Sequence, residues 1–319
     1  MTDFPSLTLA ECADRILSCE KPLVVMHIRP DGDTVGSGAA LCEIFKELGK
    51  QALYTCDDEI PPRLAFLTEG LVKAECFDGF DAVSIDVASP NQMGSLSDKI
   101  KVKLAIDHHA VNTPFAPNYT VPEASSAGEV LLGIARLLEE RGLIRITERM
   151  AYLLYAAICS DTGGFAFSNT SAETFRAAAD LISCGIDHAE INHKLFMSKS
   201  PEQMKAEGFV ASRVKTEFSG KVAYAAVSKA DMNELGVSDV HFDTAIDVVR
   251  SLLGVEIAFV AKETSRGIKV SLRSTGANVA SVASKHGGGG HIRAAGCTVE
   301  AQDVDVAANI ILSDIAEII

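Results

Sequence analysis

The sequence predicts an α/β fold, with a parallel sheet in an N-terminal domain and a smaller α/β domain after it. In the first half of the 319-residue chain, short apolar runs rich in branched residues alternate with segments of helical spacing. This alternation is typical of a parallel sheet covered by helices. After residue 185 the sequence becomes more polar and helical before strand-like runs return. With 47% hydrophobic and 23% charged residues, the chain can bury a packed core.

The spacing of apolar residues predicts the N-terminal elements. Residues 22–28 have the composition of a buried strand, and residues 37–50 have helical spacing that ends near Gly49. Ser125 or Ser126 can cap a later helix, with Glu129 in its first turn. In order, we expect a strand at 22–28, a helix at 37–50, strands at 51–57, 81–86 and 101–107, and helices at 125–142 and 146–161.

A change of composition places the expected domain boundary within residues 186–215. Residues 187–214 look helical and polar, as a connection between domains would. Beyond them we expect strands at 221–228, 254–264 and 267–274, a helix at 241–254, and a helix, a glycine turn and a strand within 278–300. We therefore predict a first domain at 1–190, a helical linker at 191–215 and a second domain at 216–319.

Charge and cysteine content exclude several classes of protein. A net charge of -14 argues against a broad surface for long duplex nucleic acid, although it permits a small phosphorylated ligand in a cleft. The eight cysteines contain no CxxC pair, so we expect reduced thiols in a cytoplasmic protein. The acidic N-terminal segment does not resemble a secretory signal, and no apolar run reaches the ~18 residues of a membrane span.

Acidic and histidine side chains collect at the predicted carboxyl ends of three strands. Ligands of parallel α/β sheets bind at this edge, near the point where the strand order reverses. Asp161 follows a long apolar helix and can reach the same place. The eight candidate residues are His27, Asp31, Asp33, Asp86, Asp107, His108, His109 and Asp161.

Each of these residues alone has an ordinary structural explanation. Asp33 and Asp161 fit cap or turn positions, and His108 alone fits a buried structural histidine. Together, however, five carboxylates and three imidazoles at one edge would repel and desolvate one another without cations. A pair of divalent metal ions resolves that conflict, and mixed carboxylate and imidazole ligands suit Mn²⁺, Zn²⁺ or Fe²⁺ better than Ca²⁺.

The glycine run at 287–290, followed by His291, is the second unusual feature of the sequence. Four glycines permit positive φ and a close backbone approach. The run matches neither of the glycine patterns that bind ATP or dinucleotides. It is either a bare tight turn or a cradle of backbone N–H groups for a phosphate or sugar, with His291 and Arg273 beside it.

Several stretches resemble a known family of enzymes, the DHH phosphoesterases. The stretches "HIRPDGDTVGS", "SIDVASP", "IDHH" and "SDTGG" resemble the four motifs of its DHH domain, in the same order. "SLRSTGANVASVASKHGGGGHIRAAG" resembles the companion DHHA1 domain. Within the superfamily, the size and the two-domain layout are most similar to the short-oligonucleotide hydrolases of the nanoRNase and pAp phosphatase type. The resemblance implies a cleft between the two domains.

The resemblance also implies a role for each residue. His27, Asp31 and Asp86 would hold one divalent ion, and Asp33, Asp86, His108 and Asp161 a second, and Mn²⁺ is the expected metal for both. His109 would contact a phosphate or protonate the leaving oxygen, and Asp107 would orient a histidine. Asp86, Asp107, His108 and His109 are thus the candidate catalytic residues. Substrate contacts would come from Arg273, Ser274, Asn278, Gly288, Gly289, Gly290 and His291.

Three functions stay open at the level of sequence. The first is hydrolysis of 3'-phosphoadenosine 5'-phosphate (pAp) and of oligonucleotides of two to five nucleotides. The second is the same chemistry on another substrate, such as pApA, cyclic-di-AMP or polyphosphate. The third is a nucleotide-binding regulator without activity, which would not need so many metal ligands. Similar proteins are often dimers, so a homodimer is possible.

Overall fold

The computed structural model describes residues 4–319, which form two compact units. The first unit ends at Ser198, and the second runs from Lys199 to Ile319. The domain limits predicted from composition, at residues 190 and 216, stay predictions. Among the described residues, no helix is long and apolar enough to cross a membrane.

The first unit is built on a five-stranded parallel sheet. Its strands are β1 (Pro22–Val25), β2 (Leu53–Thr55), β3 (Asp81–Ile85), β4 (Val102–Asp107) and β5 (Asn118–Thr120). Their order across the sheet is β2-β1-β3-β4-β5. The helices are α1 (Leu9–Ser18), α2 (Gly32–Glu47), α3 (Ala127–Glu140), α4 (Glu148–Asp161), α5 (Ala172–Ser183) and α6 (His188–Asn192). The strand order reverses at β1 and β3, where sheets of this type bind ligands.

Both faces of this sheet are buried, which explains its continuous apolar strands. In β1, Val24 packs into the core formed with the helices, whereas Leu23 and Val25 face a second core. That second core contains Met93 and Leu96 from a 3₁₀-helical segment, Pro90–Asp98. Because successive side chains of a strand point to opposite faces, a strand covered on both sides needs apolar residues at every position.

Helix α2 begins five residues earlier than the apolar spacing predicts. Asp31 is its N-cap, and the Asp31 side chain accepts hydrogen bonds from the backbone N–H groups of Asp33 and Thr34. Apolar spacing does not reveal the first turn, because that turn contains glycine and polar residues. Asp33 consequently lies within the first helical turn rather than in the loop after β1.

Helices α2, α3 and α4 pack closely through small residues. A Cβ atom added at Gly36 would lie 2.9 Å from the backbone oxygen of Leu153 and 3.1 Å from the Cβ of Ala157. A Cβ at Gly128 would lie 2.6 Å from the same Ala157 Cβ. These contacts leave no room for larger side chains, so Gly36 allows α2, and Gly128 allows the start of α3, to approach α4.

The second unit is a six-stranded mixed sheet with helices. Its strands are β6 (Lys215–Glu217), β7 (Val222–Val227), β8 (Ile257–Thr264), β9 (Gly267–Ser274), β10 (Gly289–His291) and β11 (Ala294–Val299), in the order β10-β11-β9-β8-β7-β6. Only the β7–β8 pair in this sheet is parallel among the strands described. Its helices are α7 (Pro201–Arg213), α8 (Lys229–Leu235), α9 (Ile246–Arg250), α10 (Val279–Lys285) and α11 (Val304–Ile315).

Some elements of the structure differ from those expected, and others were not expected. The helix expected at 241–254 is a 3₁₀ turn, Asp239–Phe242, followed by the short helix α9. Helix α7, in the predicted linker, buries Ala206 and Val210 in a core of the second unit. The order of elements also contains three strands and four helices that apolar spacing did not indicate. These are β5, β6 and β10, and α1, α5, α8 and α11.

Candidate metal centre

The carboxyl ends of three neighbouring strands place acidic and histidine side chains together. His27 lies two residues after β1, Asp86 directly follows β3, and Asp107 ends β4. Asp86 has a φ of 60°, in the left-handed region that non-glycine residues seldom adopt. Such backbone strain persists only where the surroundings enforce it, and it is concentrated at functional sites.

The Asp86 carboxylate lies between two histidines. Its Oδ2 is 3.3 Å from Nε2 of His27, and its Oδ1 is 3.5 Å from Nε2 of His108. Asp86 is only 3% exposed, and its Oδ1 makes no hydrogen bond within residues 4–319. A buried carboxylate oxygen without a hydrogen bond is costly unless a cation or a bound group satisfies it.

A first candidate ligand group contains His27, Asp31 and Asp86, whose ligand atoms lie within 4.8 Å of one another. His27 Nδ1 lies 2.8 Å from the backbone oxygen of Ile28, which can only accept a hydrogen bond. The Nδ1 atom therefore carries a proton and donates, so Nε2 is the ring nitrogen directed at the carboxylates. Asp31 is oriented by its role as the N-cap of α2.

A second candidate group contains Asp33, His108 and Asp161, again within 4.8 Å. His108 Nδ1 lies 3.3 Å from the backbone oxygen of Ala124. His108 Nε2 lies 3.8 Å from Asp33 Oδ2 and 3.9 Å from Asp161 Oδ2. Asp86 Oδ1 lies at a similar distance from the same Nε2 atom, so Asp86 is adjacent to both groups.

The N-terminus of α3 holds the buried carboxylate of Asp33. The backbone N–H of Ala127 donates to Oδ2 at 2.7 Å, and that of Gly128 donates to Oδ1 at 3.0 Å. These N–H groups have no partner within the helix itself, and they carry the positive end of its dipole. A carboxylate oxygen can accept more than one hydrogen bond, so both oxygens of Asp33 keep a lone pair for a cation.

A third histidine is paired with the last residue of β4. His109 Nδ1 lies 2.7 Å from Asp107 Oδ1 and 3.7 Å from Asp86 Oδ1. Burial lowers the pKa of His109, but the hydrogen bond from its ring to Asp107 and the charges of Asp107 and Asp86 outweigh it and raise the pKa. Asp107 is thus in position to orient the ring of His109.

The pKa shifts in the centre reflect crowded charge. Burial raises the pKa of Asp33, and the negative charges of Asp86 and Asp161 raise it further. Burial also raises the pKa of Asp161 to about 7. Burial alone would lower the pKa of His108, but the adjacent carboxylate of Asp86 and the charge of Asp33 raise it to about 10. Perturbed groups of both signs in one place are typical of a functional site.

These residues fit a pair of divalent cations. Carboxylates and neutral imidazoles are ligands that Mn²⁺, Zn²⁺ and Fe²⁺ accept. The two histidines present Nε2 because a backbone carbonyl takes Nδ1–H in each case, as in most metal-binding histidines. The Asp86 Oδ1 atom without a hydrogen bond adds an acceptor that a cation would satisfy. The structure therefore brings together every residue that the sequence predicts for the metal centre.

Asn169 also contacts this centre, although sequence patterns do not indicate it. Its Nδ2 donates to the backbone oxygens of Ser125 and Asp161, at 2.9 and 3.1 Å, and lies 3.3 Å from Asp161 Oδ2. An asparagine eight residues beyond Asp161, in a loop of polar residues, looks like an ordinary turn residue. Only the three-dimensional structure brings it to the carboxylate.

The residues predicted to contact substrate lie near one another in the second unit. Arg273 of β9 pairs with Ala294 of β11, which also pairs with His291 of β10. The backbone N–H of Ser274 donates to the backbone oxygen of Arg293, and Ser274 Oγ donates to the backbone oxygen of Ala277 at 2.5 Å. Asn278 is the N-cap of α10, where its side chain accepts from the backbone N–H of Ser281.

The glycine run has a structural requirement at two of its positions. A Cβ at Gly288 would lie 2.3 Å from the backbone oxygen of Gly296, and one at Gly290 would lie 2.5 Å from that of Ala294. Gly290 also has a φ of 137°. Close packing against β11 therefore explains these two glycines. Gly289, in contrast, is exposed and has open space around it, so β11 does not require a glycine there.

Comparisons with known proteins agree with this geometry. The model of the DHH family N-terminal domain matches residues 21–158, and that of the DHHA1 domain matches residues 206–317. The chain is 30% identical to the bifunctional oligoribonuclease and PAP phosphatase NrnA of Thermus thermophilus, over 96% of this chain and 92% of that protein. It is 28% identical to the NrnA protein of Bacillus subtilis, over 87% of this chain and 88% of that protein.

A solved structure shows the same fold along almost the whole chain. An exopolyphosphatase-related protein from Bacteroides fragilis superposes with a TM-score of 0.87 at 21% identity, covering 96% of this chain and 95% of that one. The two domain models match in the order that the motifs predict, and the Thermus protein is related over nearly the full length. This chain therefore belongs to the DHH/DHHA1 family of phosphoesterases.

Proposed function

We propose that this chain hydrolyses pAp and short oligonucleotides of two to five nucleotides, using water activated by two divalent ions. The observation that carries the proposal is the position of Asp86, which directs one carboxylate oxygen at each of two ligand groups. The names of its relatives, which describe an oligoribonuclease and a PAP phosphatase, support the choice of substrate.

Six side chains would hold the two ions. His27, Asp31 and Asp86 would bind one ion, and Asp33, Asp86, His108 and Asp161 the other, with Asp86 shared. The mixed oxygen and nitrogen ligands support Mn²⁺ as the working metal. When bound, the two ions supply a water of lowered pKa and neutralise negative charge that develops on the phosphoryl oxygens.

The protein itself supplies orientation and a proton. Asp107 accepts from Nδ1 of His109, so the ring is fixed and His109 would act through Nε2. The hydrogen bond to Asp107 and the charges of Asp107 and Asp86 raise the pKa of His109, which favours the protonated ring that a donor to a phosphate oxygen or to the leaving oxygen needs. The N-cap hydrogen bonds of α2 hold the carboxylate of Asp31, and the start of α3 holds that of Asp33, before any substrate binds.

The second unit would bind the part of the substrate away from the scissile phosphate. Arg273, Ser274, Asn278 and His291 lie near the ends of β9, β10 and α10, and Gly289 leaves its backbone open to a ligand. Gly288 and Gly290 shape the turn by packing on β11. An arginine beside exposed backbone N–H groups suits a phosphate or a ribose.

The proposal is tested by product analysis with the purified protein and Mn²⁺. The substrates are pAp, pApA, a five-residue RNA, cyclic-di-AMP and pyrophosphate, assayed side by side. We expect AMP and phosphate from pAp and mononucleotides from the short oligomers. Turnover of cyclic-di-AMP or pyrophosphate alone would contradict the proposed substrate, and no turnover despite bound Mn²⁺ would indicate a regulator.

Replacing Asp86 by alanine is expected to abolish turnover, because it removes the carboxylate shared by both ligand groups. The matched control is Asp81→Asn, since Asp81 lies at the opposite end of the same strand and pairs with Lys103. Steady-state rates of both variants are measured at saturating Mn²⁺. Near wild-type turnover in Asp86→Ala would refute the shared-ligand assignment, whereas loss of turnover in Asp81→Asn would point to a general defect of the strand.

A further inference from the structure

The segment 124–128 leads from the loop after β5 into the first residues of α3 and contacts two side chains of the second ligand group. The backbone oxygen of Ala124 accepts a hydrogen bond from Nδ1 of His108. The backbone N–H groups of Ala127 and Gly128 hold Asp33. Two of the three side chains in that group are therefore positioned by one short stretch of backbone.

Asn169 connects this stretch to the third side chain of the group. Its Nδ2 donates to the backbone oxygen of Ser125 at 2.9 Å and lies 3.3 Å from Asp161 Oδ2, with the Asp161 backbone oxygen at 3.1 Å. All three partners are oxygens that can only accept while Asp161 is ionised. The amide NH₂ group must therefore face them, because the amide oxygen would be repelled.

The same stretch is held on its other side by Glu129. Glu129 Oε2 accepts from the backbone N–H of Ser125 at 3.1 Å, from Ser125 Oγ at 2.5 Å and from Thr174 Oγ1 at 3.0 Å. The first ligand group has different supports, namely the backbone oxygen of Ile28 and the N-cap of α2. The contacts of Asn169 are thus directed at one of the two groups.

We propose that Asn169 is a positioning residue that holds Asp161 and the segment 124–128 in register, and so sets the metal affinity of the Asp33–His108–Asp161 group. This inference rests on the proposed two-metal function. Residues that orient metal ligands through hydrogen bonds typically change metal affinity by about 10- to 100-fold when they are replaced. Asn169 would act through its ligands without contacting the ion.

The test is a measurement of Mn²⁺ binding. Binding is measured by calorimetry and from the electron paramagnetic resonance signal of free Mn²⁺. Asn169→Leu keeps the branched shape and removes both donors. Because Asn169 is exposed, this variant should fold. The matched control is Asn192→Leu, since Asn192 donates to Tyr155 and to the backbone of His188 in the same unit. His27→Ala disables the first group, so the remaining binding reports on the second.

We expect wild type and Asn192→Leu each to bind two Mn²⁺ per chain, and the affinities should not differ between the two proteins. Asn169→Leu should bind one of the two about 10- to 100-fold more weakly. In the His27→Ala background, Asn169→Leu should weaken the remaining site by the same factor. At saturating Mn²⁺, the KM of Asn169→Leu for substrate should match that of wild type.

The outcomes separate this inference from the proposed function. Two Mn²⁺ bound equally well by wild type and by Asn169→Leu would overturn the role of Asn169 and leave the two-metal centre intact. A wild-type protein that binds no Mn²⁺ would overturn both. A fall in unfolding temperature without a change in Mn²⁺ affinity would mean that Asn169 only stabilises its loop, which also contradicts the proposal.

Discussion

The imidazoles of His27 and His108 hold protons that a bound cation must displace. Burial lowers the pKa of His27, but the adjacent carboxylates of Asp31 and Asp86 raise it well above its ordinary value. The same balance of burial against Asp86 and Asp33 gives His108 a pKa of about 10. Because both pKa values are raised, a metal must compete with a proton for the Nε2 atom of each ring.

Mn²⁺ affinity should consequently rise with pH between 6 and 9. Calorimetric titrations in buffers of different ionisation enthalpy should show that protons are released on binding, and fewer protons at the higher pH. A matched comparison is His108→Gln, which should lose affinity and also release fewer protons. Affinity that is constant over this range would contradict the protonated state of the metal-free centre.

The same shifts determine how the metal-free fold responds to pH. The folded pKa of His108 lies above its ordinary 6.5, and that of Asp161 lies above its ordinary 3.8. The folded state therefore binds more protons than the unfolded state between pH 3.8 and about 7 through Asp161, and between pH 6.5 and about 10 through His108. Stability falls as the pH rises through these two ranges. Thermal unfolding with chelator should show a falling melting temperature from pH 5 to pH 9. Saturating Mn²⁺ should largely remove that fall, and an equal fall with Mn²⁺ would contradict it.

At the scale of elements, the fit of α2 against α4 depends on the absence of side chains. A Cβ at Gly36 would lie 2.9 Å from the Leu153 backbone oxygen and 3.0 Å from the Ala157 nitrogen, neither of which can move without distorting α4. Gly133 lies within α3 with open space around it. The two glycines therefore differ in packing while both are helical.

Gly36→Ala should destabilise the protein by about 1–3 kcal/mol, because overpacking outweighs the better helix propensity of alanine. Gly133→Ala should stabilise it by about 0.5–1 kcal/mol, since only the propensity changes. Urea unfolding monitored by circular dichroism measures both. Stabilisation by Gly36→Ala would show that the two helices can separate without cost.

Patterns along the chain predict the parallel sheet and the metal-centre residues for a physical reason. Strands buried on both faces are apolar throughout, as in 22–28, and the acidic residues at their ends stand out against them. The start of α2 at Gly32 is hidden, because its first turn packs through glycine and polar groups. Asn169 and the segment 124–128 are hidden for another reason: their contacts join residues 44 and 8 positions apart, which no local pattern encodes.

At the scale of the whole molecule, binding of metal and binding of substrate are assigned to different units. The candidate metal ligands lie within residues 27–161, and the candidate substrate contacts lie within residues 273–291. Each unit has its own hydrophobic cores. The two kinds of binding should therefore be separable by mutation.

Arg273→Ala should raise KM for pAp by about 10- to 100-fold, the loss expected for a hydrogen bond to a charged group. Mn²⁺ affinity should stay at the wild-type value, because Arg273 lies in the unit without the metal ligands. Arg266→Ala is the control, since Arg266 is exposed in the turn between β8 and β9. Equal loss of Mn²⁺ and substrate binding in Arg273→Ala would contradict the division between units.

The left-handed backbone of Asp86 also has a consequence for how this enzyme can change over generations. Asp86 is held at a φ of 60°, where a glycine would rest without strain. Selection for stability alone can therefore admit glycine at this position, and the proposed role of Asp86 predicts that such a chain would not hydrolyse its substrate. A laboratory lineage evolved for thermostability should therefore be screened for hydrolysis in every round, with residue 86 held fixed.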